Sequence, residues 1–315
     1  MNLLLTGANG FVGRRLAIAL ESNPDINLTT IIRRSVEVRF NNVIVVQGID
    51  ANTDWSEAVK GQNIILHAAA RTHIMKDDAA NSMAKYHRIN VEGTLNLARQ
   101  AATVGVTRFV FISSIKVNGE TTEIGVPFTA DDIPKPIDNY GISKWEAEQG
   151  LLQLAADTGM EVVIIRPPMV YGPNAKGNFA KLGALLAKGV PLPLATVKNR
   201  RSFVAIDNLI DLIITCIDHP KAANQIFLAS DGHDLSTPEL LNRMATAMGR
   251  DAKLFPLPSR LISVAASLVG KKDEANRLLT SLQVDITKNR DVLNWSPVID
   301  VEEGLQRCFG KNEQG

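Results

Sequence analysis

The chain contains three tyrosines, and one of them, Tyr140, stands four residues ahead of a lysine in Tyr-Gly-Ile-Ser-Lys144. The stretch SKWEAEQGLLQLA that begins there reads as a helix, so a phenol and an ammonium at i and i+4 project from one helix face. A phenol that titrates near 10 must fall by roughly 3 units, worth about 4 kcal/mol, before it takes up a proton at neutral pH. A lysine beside it, together with a positive charge on a bound cofactor, supplies that shift. Such a pair moves a proton on and off an alcohol oxygen. Ser113 and Ser114 close the apolar run Arg108 to Ile112 and are candidates to hydrogen-bond the same oxygen.

These groups meet only if strands and helices alternate around them. Short β-branched or leucine-rich runs (Asn2 to Leu5, Leu28 to Ile32, Val43 to Val46, Ile64 to Leu66, Arg108 to Ile112, Val162 to Ile165) alternate with stretches of helical spacing such as Val12 to Leu20 and Ala84 to Ala102. The runs lack the apolar/polar alternation of half-exposed strands, which fits a parallel sheet buried on both faces. The fold class expected is α/β: a Rossmann-like, doubly wound parallel sheet over residues 1–166, with a smaller C-terminal substrate-binding lobe over 167–315. Pro167, Pro168, Pro173, Pro191 and Pro193 break up that second part. Within it, Ser202 to Ile217 (strand, then helix) and Gln225 to Ala229 (strand) read as returns to the sheet.

The first strand runs into Gly7-x-x-Gly10-x-x-Gly13, and a helix begins at Phe11. A glycine turn leading into a helix leaves backbone N–H groups and the positive helix end facing a pyrophosphate. Gly7, Gly10, Phe11, Val12 and Gly13 are therefore the candidate cofactor cradle. The spacing departs from the commoner Gly-x-Gly-x-x-Gly. Asp50, in QGID, is placed to accept from an adenine amino group, and His67-Ala68-Ala69-Ala70 puts small residues where a dinucleotide crosses the strand ends. The second strand ends in Ile32-Arg33-Arg34-Ser35, with no carboxylate before Glu37. Guanidinium groups at that place suit a ribose 2′-phosphate and put NADP ahead of NAD.

Composition narrows the function classes. Lys plus Arg (34) nearly balance Asp plus Glu (33), so no global field favours nucleic acid or an anionic membrane. Cys216 and Cys308 lie in apolar surroundings, away from any metal-ligand spacing, and read as small core residues in a reducing compartment. No metal site is expected. The N-terminus enters a strand without a targeting pattern, and the apolar stretch Leu261 to Val269 is too short to span a bilayer, so the expected location is the cytoplasm.

Gly7-x-x-Gly10-x-x-Gly13, the His67-Ala-Ala-Ala run, Asn90 in INVEGT, FISS ending at Ser114, Tyr140-x-x-x-Lys144, Arg166-Pro167 and VYGP (Val170 to Pro173) together resemble the extended short-chain dehydrogenase/reductases, the NAD-dependent epimerase/dehydratase family. The resemblance implies an enzyme in which Tyr140 is the acid/base, Lys144 lowers its pKa and holds the nicotinamide ribose, and Ser114 polarises the substrate. It gives Asn90 a structural or water-holding role beside the cofactor. It further implies a UDP-sugar substrate, with Asn178, Arg201 and Arg277 as diphosphate contacts, and a homodimer. Family dehydratases resemble a pattern with an Asp-Glu pair where this chain has Ile115-Lys116, which argues against elimination. What remains is exchange of alcohol and ketone at carbon 4. Arg33 and Arg34 favour a UDP-N-acetylquinovosamine-type 4-ketoreductase of surface-polysaccharide synthesis, with a UDP-glucose or UDP-N-acetylglucosamine 4-epimerase on retained NAD as the alternative. A non-catalytic NADP sensor would leave Ser114, Tyr140 and Lys144 unexplained.

Overall fold

The computed structural model describes residues 1–33, 40–72, 79–268 and 270–310. The first half alternates strand and helix: β1 (Asn2–Thr6), α1 (Phe11–Glu21), β2 (Asn27–Ile32), β3 (Val43–Val45), α2 (Ser56–Val59), β4 (Ile64–His67), α3 (Ala79–Tyr86), α4 (Gly93–Thr103), β5 (Arg108–Ile112), α5 (Asn139–Thr158) and β6 (Glu161–Arg166). Between α3 and α4 the helix widens into a π turn over His87–Glu92. The second half comprises β7 (Met169–Tyr171), α6 (Asn178–Ala187), β8 (Phe203–Ala205), α7 (Ile206–Asp218), β9 (Gln225–Leu228), α8 (Thr237–Ala247), α9 (Ser259–Leu268), α10 (Lys272–Leu279), α11 (Thr287–Leu293) and α12 (Val301–Phe309).

Seven strands form one parallel sheet in the order β3-β2-β1-β4-β5-β6-β9. The order reverses between β1 and β4, and a crevice opens there at the C-terminal strand ends. Leu3, Leu4 and Leu5 are all fully buried, because Leu3 and Leu5 meet the layer that holds α1 and α7 while Leu4 meets the layer of α4 and α5. This is the two-sided burial the apolar runs imply. Edge strand β3 is the exception, with Val45 58% exposed.

The return of Ser202 to Ile217 to the sheet is not what the structure shows. Its strand, β8, pairs in parallel with β7 in a separate two-stranded ladder. Pro167 and Pro168 follow β6 directly and cannot donate to a ladder, so the chain leaves the sheet there and β7 starts a new one. Helix α7 does pack on the sheet, and β9 completes it beside β6. A third apolar core under α6, α8 and α12 belongs to the second lobe. Cys216 is fully buried and Cys308 is half-buried. Among the described residues, no helix is long and apolar enough to cross a membrane.

Candidate active site

The three glycines divide by role. Gly7 has φ +78°, and a Cβ there would lie 2.6 Å from the Ala69 nitrogen; a Cβ on Gly13 would lie 2.1 Å from the Gly7 carbonyl oxygen. Those two glycines let β1, the end of β4 and α1 close on one another. At Gly10 a Cβ would meet only the Gly7 carbonyl oxygen, at 3.1 Å, so its missing side chain is crowded by one atom and otherwise leaves room. Gly10 is the N-cap of α1, makes no side-chain cap, and no acidic residue occupies the first turn. The positive helix end therefore faces a cavity of about 610 Å³, lined among others by Gly10, Arg33, Ile49 and Ala68 to Ala70. This uncapped turn and the space at Gly10 fit a dinucleotide pyrophosphate.

The other candidates for the cofactor spread around this cavity. Phe11 and Val12 stand on the first turn of α1 and pack partly against the core. Arg33 is exposed at the rim, and Arg34 lies outside the described residues. Ile49, not Asp50, lines the cavity; the Asp50 carboxylate takes a 2.6 Å contact from Arg88 and accepts from the Asn52 N–H. Arg88 and that N–H hold the Asp50 carboxyl below the usual range. Asn90, in the π turn, accepts from the Arg71 N–H at 2.8 Å and donates to the Arg71 carbonyl and to Ser143 Oγ. It thereby ties the segment after β4 to the first turns of α5. Behind the alanines, His67 bridges Thr6 and Thr94 at 2.8 and 3.0 Å, and burial holds its imidazole down to about 3, a neutral strut between β4 and α4.

Helix α5 starts at Asp138, whose side chain caps the Gly141 N–H at 2.7 Å. Ser114, at the tip of β5, accepts from the Lys116 N–H at 3.3 Å and lies close enough to the Tyr140 phenol to oppose the rise in its pKa. Ser113 is not available to a substrate, because its hydroxyl donates to buried Glu148. Burial works against the ammonium expected beside the phenol. Lys144 Nζ sits 3.8 Å from the centre of the Phe111 ring, and burial lowers its pKa to about 7. Burial, with Asp138 and Tyr86 nearby, pushes the Tyr140 phenol up. Before a cofactor binds, the site therefore holds a protonated phenol, and it is the fixed charge of an oxidised nicotinamide that would favour the phenolate.

In the second lobe, Arg201 donates to the Thr280 carbonyl at 2.9 Å. Burial, and next the nearby charge of Arg277, push Arg201 down from 12.5 to about 10. Two guanidinium groups brought together at a partly buried site are relieved by an anion. Asn178 is the first residue of α6, at its positive end. Sequence reasoning did not pick out Glu148, although a carboxylate one turn after Lys144 on the same face was visible in the sequence. It also missed Asp138, which forms an ion pair with Lys116. Among the described residues no cluster suits a metal ion.

The model of the NAD dependent epimerase/dehydratase family matches residues 3–229. The chain belongs to that family. It is an NAD(P)-dependent enzyme of the epimerase/dehydratase type. Over 307 residues it is 46% identical to a UDP-glucose 4-epimerase of Vibrio cholerae, covering 97% of this chain and 94% of that one. Among solved structures, its fold is similar to a UDP-glucuronic acid 4-epimerase of Bacillus cereus in complex with NAD (TM-score 0.78, 20% identity, 98% and 97% of the two chains). It is also similar to a Thermotoga maritima UDP-glucose 4-epimerase with UDP-glucose (TM-score 0.75, 22% identity, 98% and 97%).

Proposed function

We propose that the protein is a 4-epimerase of UDP-linked hexoses that works on a retained NAD. The observation that carries this reading is the 46% identity, along almost the whole chain, with a UDP-glucose 4-epimerase. That similarity supports the epimerase better than the ketoreductase that Arg33 and Arg34 favoured. The argument from two arginines is also weaker than it was, since only Arg33 is described and it is exposed. NAD is accordingly the proposed cofactor.

In this reading a bound nicotinamide supplies the hydride acceptor and donor. Tyr140 moves the proton on the sugar's C4 oxygen, and Ser114, near that phenol at the tip of β5, holds the same oxygen. Lys144 needs its charge to favour the phenolate, and its lowered pKa makes it easy to discharge. Arg201 and Arg277 hold the diphosphate while the hexose turns over to present its other face, with Asn178 as a further contact. Elimination is disfavoured because the two positions after Ser114 carry Ile115, which is buried, and Lys116, which is paired with Asp138 and Glu120, in place of a carboxylate pair. The test is to give the purified enzyme UDP-glucose without added cofactor and follow UDP-galactose by chromatography, with release of NAD on denaturation. Stoichiometric NADPH consumption on a UDP-4-keto sugar, without epimerisation of either UDP-hexose, overturns the reading.

A further inference from the structure

Beneath the reacting groups lies a polar network that the proposed chemistry does not use. Glu148 on α5 is fully buried, and so is Arg166 at the end of β6. They form a two-pronged pair, Arg166 Nε to Glu148 Oε1 at 3.0 Å and Nη2 to Oε2 at 2.5 Å. The Ser113 hydroxyl donates to the same carboxylate. The remaining arm of Arg166 donates to Asn118 Oδ1 at 2.9 Å, and Asn118 donates to the Thr129 carbonyl at 2.8 Å. One carboxylate thus joins α5, the tip of β5, the end of β6 and the turn after Ser114. A buried ion pair is weak evidence for stability as such, since well-packed apolar residues commonly replace one at no loss.

Its placement indicates a different use. Glu148 follows Lys144 by one helical turn on the same face, and Ser113 directly precedes Ser114. The backbone on both sides of Ser114 is pinned to the continuation of β6: the Ser113 N–H donates to Ile165 and the Ile115 N–H to Pro167. We propose that Glu148 is a positioning residue that fixes Ser114 against Tyr140 through Ser113 and supplies the buried counter-charge that keeps Lys144 an ammonium during turnover. This rests on reading Ser114, Tyr140 and Lys144 as the reacting set. Among the described residues, the charged or titratable groups acting on Lys144 are Glu148 on α5 and His67 on β4, with Arg166 on β6 acting through Glu148 and Tyr140 one turn earlier on the same helix face. His67 is neutral, so Glu148 is the carboxylate that favours the Lys144 charge, against burial that disfavours it.

The two roles separate in two variants of the full-length enzyme. Glu148→Gln keeps the shape and removes the charge; kcat falls at least about 10-fold with KM within about 3-fold, and the basic limb of the kcat–pH profile moves down by about one pH unit or more. Ser113→Ala leaves the ion pair intact; kcat falls about 10-fold with the limb unmoved, and Ser113→Thr restores it. A folded Glu148→Gln enzyme with unchanged kcat and basic limb overturns the proposal. If Glu148→Gln does not fold, Ser113→Ala decides, and normal kcat there overturns it. Full activity in Tyr140→Phe would instead remove the reading of the reacting set, so the two failures are distinguishable.

Discussion

Replacing Arg277 by glutamine tests the anion site from both of its states. In the free protein, Arg201 is pushed from 12.5 to about 10, with burial the larger cause and Arg277 the next. A fall of that size corresponds to ~3 kcal/mol of differential cost, in which the Arg277 charge is the smaller of two unfavourable causes and Glu120 opposes both. Removing the second guanidinium relieves that repulsion, and the free variant should melt no lower than the parent. The liganded state behaves oppositely. A charge-assisted hydrogen bond to a phosphate contributes about 1.5–3 kcal/mol, so UDP affinity should fall on the order of 30-fold. Thermal melting with and without UDP reads both quantities in one series, because a ligand that binds only the folded protein raises its stability in proportion to ln(1 + [L]/Kd). The reasoning is refuted if UDP stabilises Arg277→Gln as much as the parent, or if the free variant is markedly less stable.

Tyr140→Phe should keep NAD binding, seen as unchanged thermal stabilisation, while turnover falls by at least about 100-fold; near-normal turnover removes the phenol from the chemistry. The glycines separate fold from ligand. Gly13→Ala sets a methyl 2.1 Å from the Gly7 oxygen and should cost about 3 kcal/mol or more, whereas Gly10→Ala meets nothing nearer than 3.1 Å and should melt within about 1 kcal/mol of the parent yet lose stabilisation by NAD. If NAD protects Gly10→Ala fully, the cradle is misassigned. Lys144 titrates near 7 in the folded protein against 10.5 for the free group, so between those values the unfolded chain holds the extra proton. Stability of the cofactor-free enzyme contributed by this group therefore rises with pH from about 7 to 10.5. The difference in stability between parent and Lys144→Met should slope upward across that window, and a flat difference contradicts the burial of a titrating lysine.

Most strands could be read from the sequence because they are short apolar or β-branched runs without apolar/polar alternation, and burial on both faces requires that. Partner choice was harder. Nothing local distinguishes Phe203–Ala205 from a sheet strand; its pairing with Met169–Tyr171 follows from where two prolines turn the chain, a tertiary fact. The same holds at the site. Tyr140 and Lys144 were found by spacing, which assigns a shared helix face but not the direction of a side chain. The ring of Phe111, from another strand, lies 3.8 Å from the Lys144 ammonium, a contact that helix spacing does not reveal. Ser113 and Ser114 are equivalent in sequence, and the structure ties one to Glu148 and leaves the other on the side of Tyr140, capped by the Lys116 N–H. Which carboxylate claims which hydroxyl depends on packing between elements far apart in the chain.

The order of the sheet also bears on how this chain is made. Its last strand, Gln225–Leu228, lies beside β6, which ended at Arg166, so the ladders and crossover β7, α6, β8 and α7 are synthesised before the sheet can close. Until about residue 228 has left the ribosome, β6 presents a free edge, with Val163, Ile164 and Ile165 awaiting a neighbour. A fragment ending at residue 166 would contain the glycine turn and α5 and still expose that edge. Nascent chains stalled between residues 166 and 228 should be the stage most prone to aggregate or to engage chaperones. The nucleotide-binding half thus matures only after much of the second lobe has been translated.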